Sequence, residues 1–340
     1  MQRTHRWMLS VGMTVVALVV FGLPAVAQTS GDGWVVSRTP SGQPDLQGVW
    51  SNNSVTPLER PEAWAGKATL TDEELAELKA AAAAVTASGL DAQFGDQVVL
   101  AALAGISDAD SYDTTGNYNQ FWLADRSFEH DRTSLVVDPA DGKIPARTLD
   151  AELAGRGVPS PIITPKADSW TDRPLSERCL TWGVPNLLAG YNSYTQIIQG
   201  TDHVVIFMEM MHDARVIPID GPPHTSDAIR QLHGDSRGHW EGDTLVVETT
   251  HYSDLGRFWN ASEGFRLIER FTRVGPHTLH HEITFEDSAT WTAPWTILVP
   301  LTHSTDPIFE YACHEGNIGM EGILSGYRAE ESQAGSGGAR

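Results

Sequence analysis

From Tyr194 onward the chain is almost continuously strand-like. The runs YTQIIQ, HVVIFMEM, ARVIPI, GHW, DTLVVETTHY, FRLIERFTRV, TLHHEITFED, TWTAPWTILVPL and IFEYAC follow one another at short intervals. Turn signals separate them at Gly200-Thr201-Asp202, Glu241-Gly242, Gly275-Pro276 and Glu286-Asp287. So many short β-branched and aromatic runs at hairpin spacing predict a mainly β fold, an antiparallel meander closed or nearly closed into a barrel. Further upstream, TSLVVDPADGKIP reads as a hairpin whose Pro139 and Gly142 suit a tight turn.

The flanks read differently. Residues 1–27 have the form of a secretory signal: Arg3 and Arg6, an apolar run from Met8 to Leu23, then Ala25-Val26-Ala27 before Gln28. Residues 28–45 are polar and rich in Gly, Ser and Pro, as an extended leader would be. The single barrel domain is expected over 46–329, with a helical insertion at 71–105. TDEE at Thr71 is a capping box, and the Ala-rich run after it ends at Gly89. Residues 330–340 are Gly/Ser-rich and are expected to form a disordered tail.

Charge and cysteines narrow the partners. The chain has 23 Lys+Arg against 44 Asp+Glu, net −21, and loss of Arg3 and Arg6 with the signal makes it two units more negative. Such a surface repels phosphate backbones and anionic lipid, which argues against nucleic acid and against a membrane role after signal cleavage. Two cysteines in an exported chain, Cys179 and Cys313, read as one disulfide. Closing so long a loop is worth about 4–5 kcal/mol in the chain-entropy picture. The expected location is the periplasm or the exterior.

In PDLQGVW, Gly48 and Trp50 form a GxW triplet at the start of a strand. It resembles the opening of lipocalins and other calycin barrels, where the Trp packs across the barrel floor. Over roughly 43–330 the chain also resembles a large family of secreted bacterial proteins. The residues that carry this are PDLQGVW, RTSLVVDPADGKIP, ERCL, MMHDARVIPIDGPPH, GDSRGHWEGDTLVVET, RFTRV and YACHEGN. That resemblance implies export; the likeness to a lipocalin barrel rests on the GxW triplet and the strand pattern. The family resemblance assigns no catalytic residue.

Candidate chemistry therefore rests on side chains. In MEMMHDAR, Glu209, His212, Asp213 and Arg215 lie within seven residues between sheet-forming flanks. A bulge near His212 would let them converge at a barrel mouth; a structural ion pair is the plain alternative. In GDSRGHWEGDTLVVET a turn at Glu241-Gly242 follows Asp235, Arg237, His239 and Trp240, with His224 and His233 just upstream. In YACHEGN, His314 and Glu315 sit beside Cys313. Trp122, in an aromatic loop, and Trp240 are candidate pocket walls.

His212, His224, His233, His239 and His251 fall within about forty residues, without an HExxH or HxH spacing. No cofactor is favoured, and a divalent metal is the open one. The sequence thus points to an exported lyase, isomerase or hydrolase working on a small or oligomeric organic substrate by general acid/base chemistry. His212 would be the acid or base, Asp213 its orienter, and Arg215 or Arg237 the group stabilising negative charge, with His239 nearby. Glu209, His224, Asp235, Trp122, Trp240 and His314 would bind. The alternatives are a non-catalytic lipocalin-like binder of an apolar small molecule and a metal-dependent enzyme using the His cluster.

Overall fold

The computed structural model describes residues 34–87, 94–105, 123, 126–128, 130–159 and 167–337. The signal-like segment, the first part of the leader and Trp122 lie outside the described residues. Ten strands form one antiparallel sheet: β1 (Gly48–Ser51), β2 (Val136–Asp138), β3 (Tyr194–Gln199), β4 (His203–Met208), β5 (Ala214–Pro218), β6 (Asp235–Glu241), β7 (Thr244–Thr250), β8 (Arg266–Arg273), β9 (Thr278–Glu286) and β10 (Trp295–Ser304). Their order is β5-β4-β3-β1-β10-β9-β8-β7-β6, with β2 paired on β10. The fold is mainly β. From β3 onward the strands follow the sequence pattern, because alternate residues share a face: in β8 Leu267, Glu269 and Phe271 are buried, and in β9 Leu279, Ile283 and Phe285.

The sheet curls until its edges approach, but no ladder joins them. Edge strands β5 and β6 meet through a single bridge, Ile219 to Gly238, with the Asp220 N–H donating to Gly238 O at 2.9 Å. Gly238 permits this approach: a Cβ there would lie 2.6 Å from Ile219 Cδ1. The sheet is open at this seam.

Trp50 is fully buried on the concave side, its Nε1 donating to Leu46 O at 2.9 Å, with the Arg273 guanidinium 5.3 Å above its ring. Gly48 is required beside it. Its φ is +132°, and a Cβ would meet the His303 ring at 3.1 Å. At the other end of the sheet Phe285 stacks on Trp295 at 3.9 Å, with Trp291 and Phe265 around them. Each such ring buries on the order of 150–250 Å², so the two ends anchor the core.

The helices lie apart from the strands. α1 (Asp72–Ala87) starts with the expected capping box: Glu74 N–H donates to Thr71 Oγ1 and Thr71 N–H to Glu74 Oε2. With α2 (Gln97–Leu103) it forms a second small core of Val55, Ala82, Val85, Val98 and Val99. α3 (Leu149–Leu153) is capped by Thr148, whose side chain accepts from Ala151 N–H.

Three expectations change. The hairpin at TSLVVDPADGKIP keeps its turn, Gly142 N–H donating to Pro139 O at 3.0 Å. Its return strand does not form, because Ile144 N–H is taken by Glu59 Oε1. IFEYAC is not a strand, and β10 is the last one. Residues 330–337, expected to be disordered, continue helix α4 (Gly319–Gly337). Cys179 and Cys313 are disulfide-bonded across 134 positions. No helix among the described residues is long and apolar enough to cross a membrane.

Candidate functional site

Three strands each place one charged or imidazole side chain where alternation calls for an apolar one. On β5, Arg215 shares its face with Ile217, while Val216 points outward and is 59% exposed. On β8 Glu269 stands between Leu267 and Phe271, and on β9 His281 stands between Leu279 and Ile283. Register brings them together: Phe271 pairs with His281 and Glu269 with Ile283, so Glu269 and His281 are diagonal neighbours.

The contacts are short. Arg215 donates twice to Glu269, Nη1 to Oε2 at 2.5 Å and Nη2 to Oε1 at 3.0 Å, and His281 Nε2 lies 3.0 Å from the same Oε1. The His281 ring stacks on Phe271 at 4.2 Å. Glu269 is 1% exposed and Arg215 7%. Burial alone would raise the Glu269 carboxyl, but the Arg215 charge and the His281 contact outweigh it and hold the carboxyl at about 2. Burial would lower Arg215, and the charge of Glu269 reverses that. Burial, reinforced by Glu269, pushes the Tyr252 phenol far up, so it stays neutral.

Arg215, Glu269 and His281 line a cavity of about 40 Å³ together with Asn52, Met208 and Leu301, beneath residues 184–188. That volume suits about three ordered waters or a few ligand atoms. Two buried atoms of its lining residues, Asn52 Oδ1 and Arg215 Nε, have no hydrogen-bond partner. Asn52 is fixed through its amide nitrogen, which donates to Leu187 O and Leu188 O. The arrangement offers an imidazole oriented by an ionised carboxylate, an unfilled donor and an unfilled acceptor.

The residues of MEMMHDAR do not converge. A tight turn at Met210–His212, with Met211 at φ +63° and His212 at φ +53°, sends Glu209, His212 and Asp213 to the rim. There they tether other chain segments. His212 Nε2 accepts the Tyr311 N–H at 2.9 Å, which occupies the lone pair a base would need. Glu209 accepts from Asn192 Nδ2 and from Phe309 N–H. Asp213 accepts from Thr181 Oγ1 at 2.6 Å, and His233 Nε2 lies 2.8 Å from the same hydroxyl. This is not a nucleophile, base and orienter in series. The Thr181 hydroxyl donates its hydrogen bond to Asp213, so towards His233 its oxygen can only accept from the imidazole.

The second stretch divides as well. Asp235, Arg237, His239 and Glu241 share the outer face of β6. His239 is half exposed beside Glu241, which pairs with Arg270. Trp240 points inward and lines a separate space of about 180 Å³ with Gln43, Asp202 and Asp220. His314 is exposed.

His224 and Asp235 do meet: His224 Nδ1 is 3.0 Å from Asp235 Oδ2, and His251 joins them, with one donor atom of each residue within 4.8 Å of the others. Asp235 also accepts from Thr225 N–H at 2.8 Å and Arg237 Nη1 at 2.6 Å. Burial opposes its ionisation, but the Thr225 amide, His224 and Arg237 prevail and keep its pKa low. Of the expected catalytic residues only Arg215 reaches the interior; Glu269, His281 and Asn52 were not anticipated. The break in apolar phase at LIERF and TLHHEITF was the available signal.

Neither a scan against protein-family models, nor a search of curated proteins, nor a search of solved structures finds a match.

Proposed function

We propose that this is an exported enzyme that acts on a small organic substrate by general acid/base chemistry inside the curled sheet. The observation that carries this reading is His281, which lines the cavity while hydrogen-bonded to a buried carboxylate kept ionised by Arg215. Glu269 fixes the ring through Nε2 and stabilises an imidazolium, leaving Nδ1 to exchange a proton with the substrate. Arg215 Nε and Asn52 Oδ1 supply a donor for a developing oxyanion and an acceptor for a hydroxyl or amide. A lyase, isomerase or hydrolase step on a compact carbonyl compound fits that pair.

On this reading the seam at Gly238 completes a calycin-like barrel, with Trp50 and Arg273 as its floor. The signal-like start and the disulfide support a periplasmic or secreted location. The net charge of −21 supports a small molecule rather than a nucleic acid as partner. The resemblance to secreted bacterial proteins agrees with the exported location.

The small cavity, and an Arg215 and Glu269 that neutralise each other, also suit a barrel that binds without turning over. A turnover screen with small esters, lactones, hydroxy acids and enolisable ketones separates the readings. His281→Gln keeps a donor for Glu269, so it should fold normally and lose turnover, while His212→Ala should retain it. Turnover surviving in His281→Gln would remove the interior from catalysis. A compound bound in the cavity and left unchanged by the wild type would establish the binding reading instead.

A further inference from the structure

Away from the interior cavity, where residues 221–234 cross the ends of β6 and β7, we infer that His224, Asp235 and His251 form a site for a divalent transition-metal cation of the zinc class. Three observations converge. The donor set is two imidazoles and one carboxylate, which favours zinc-like ions over calcium or magnesium and leaves a coordination position for water. The donor atoms are already gathered: His224 Nδ1 and Asp235 Oδ2 are 3.0 Å apart, against about 3.3 Å for two ligands of a tetrahedral zinc, and all three donors lie within 4.8 Å. A shift of at most about 1.5 Å brings donors that lie within 4.8 Å of one another to that spacing.

The surroundings are those of a held ligand set. Arg237 Nη1 and the Thr225 amide fix Asp235, which is almost wholly buried. Each imidazole has a further carboxylate: Glu248 Oε1 lies 3.5 Å from His224 Nε2, and Asp227 Oδ1 lies 2.8 Å from His251 Nε2. Metal-bound histidines regularly carry such outer partners. His251 holds φ at +53°, a conformation that side-chain-bearing residues seldom adopt and that is concentrated at functional sites. Its ring stands edge-on to His224 with centroids 5.8 Å apart. Alone, these contacts pin the loop to the sheet. With an ion they become a clasp joining residues 224, 235 and 251.

The test uses the purified, disulfide-intact protein stripped with chelator and titrated calorimetrically with zinc chloride, with magnesium chloride as control. One zinc per chain should bind, and magnesium should not compete. His224→Gln and His251→Gln keep hydrogen-bonding groups but remove ligands. Each should lose more affinity than the roughly 10–100-fold that removing an outer partner costs. In the unmutated protein, zinc should protect His224 and His251 from diethylpyrocarbonate, read by mass spectrometry, which keeps the test decisive if a variant misfolds. No stoichiometric binding, undiminished binding in both variants, or protection confined to other histidines would overturn the inference.

Discussion

Arg215, inside the sheet, and Glu209, His212 and Asp213, at its rim, come from neighbouring residues, yet they do opposite things. Arg215, Glu269 and His281 find their partners in one another and face a cavity. Glu209, His212 and Asp213, a few residues upstream, find theirs in backbone amides and a threonine, and so bind the 309–313 and 181–183 segments to the sheet. A histidine whose lone pair is filled by a backbone N–H is a tether, whatever its neighbours in the sequence. A histidine backed by a buried carboxylate and open to a cavity is available for chemistry.

The largest effect should come from splitting the interior pair. Glu269→Ala leaves the Arg215 charge buried and unpaired, at a cost of about 3–5 kcal/mol in denaturant unfolding. The double change Arg215→Met with Glu269→Leu should recover most of that. A cost below about 1 kcal/mol for the single change would mean that water reaches the pair.

Next comes the rim. Replacing Cys179 and Cys313 together by Ala should lower stability by about 2–5 kcal/mol, the loop-closure value being its upper end because residual structure in the unfolded chain reduces it. It should not alter the interior, as monitored by ligand binding. A change in binding would show that the rim and the cavity are coupled.

Acid titration separates the two regions more finely. The Glu269 carboxyl is held near 2 in the folded chain against an ordinary 4.5. Its contribution is therefore fully present above the ordinary value and is lost as pH falls from there towards 2. Stability should decline through that window, and Glu269→Gln should flatten the slope; an unchanged slope would contradict the assigned charge state. The smallest effect belongs to His212→Ala, which frees one partly exposed amide and should cost about 1 kcal/mol.

Much of the sheet was legible because period-two alternation and turn residues specify strands locally. Residues 308–313 misled because alternation alone does not provide a partner strand. Glu209 and His212 instead draw that segment to the rim. Arg215 was visible as a candidate, but its partners were not: Glu269 is 54 positions away and His281 reaches it only through the β8–β9 register. The positive φ values at Met211 and His212, which part Glu209 from Arg215, carry no glycine to announce them.

The most direct test of the account is to soak crystals of the protein with a library of compact carbonyl and hydroxyl fragments and to locate them by diffraction. The account predicts density beneath residues 184–188, within hydrogen-bonding distance of His281, Asn52 Oδ1 and Arg215 Nε. A cavity that admits only water, with fragments collecting around His212 and Asp213 instead, would contradict it.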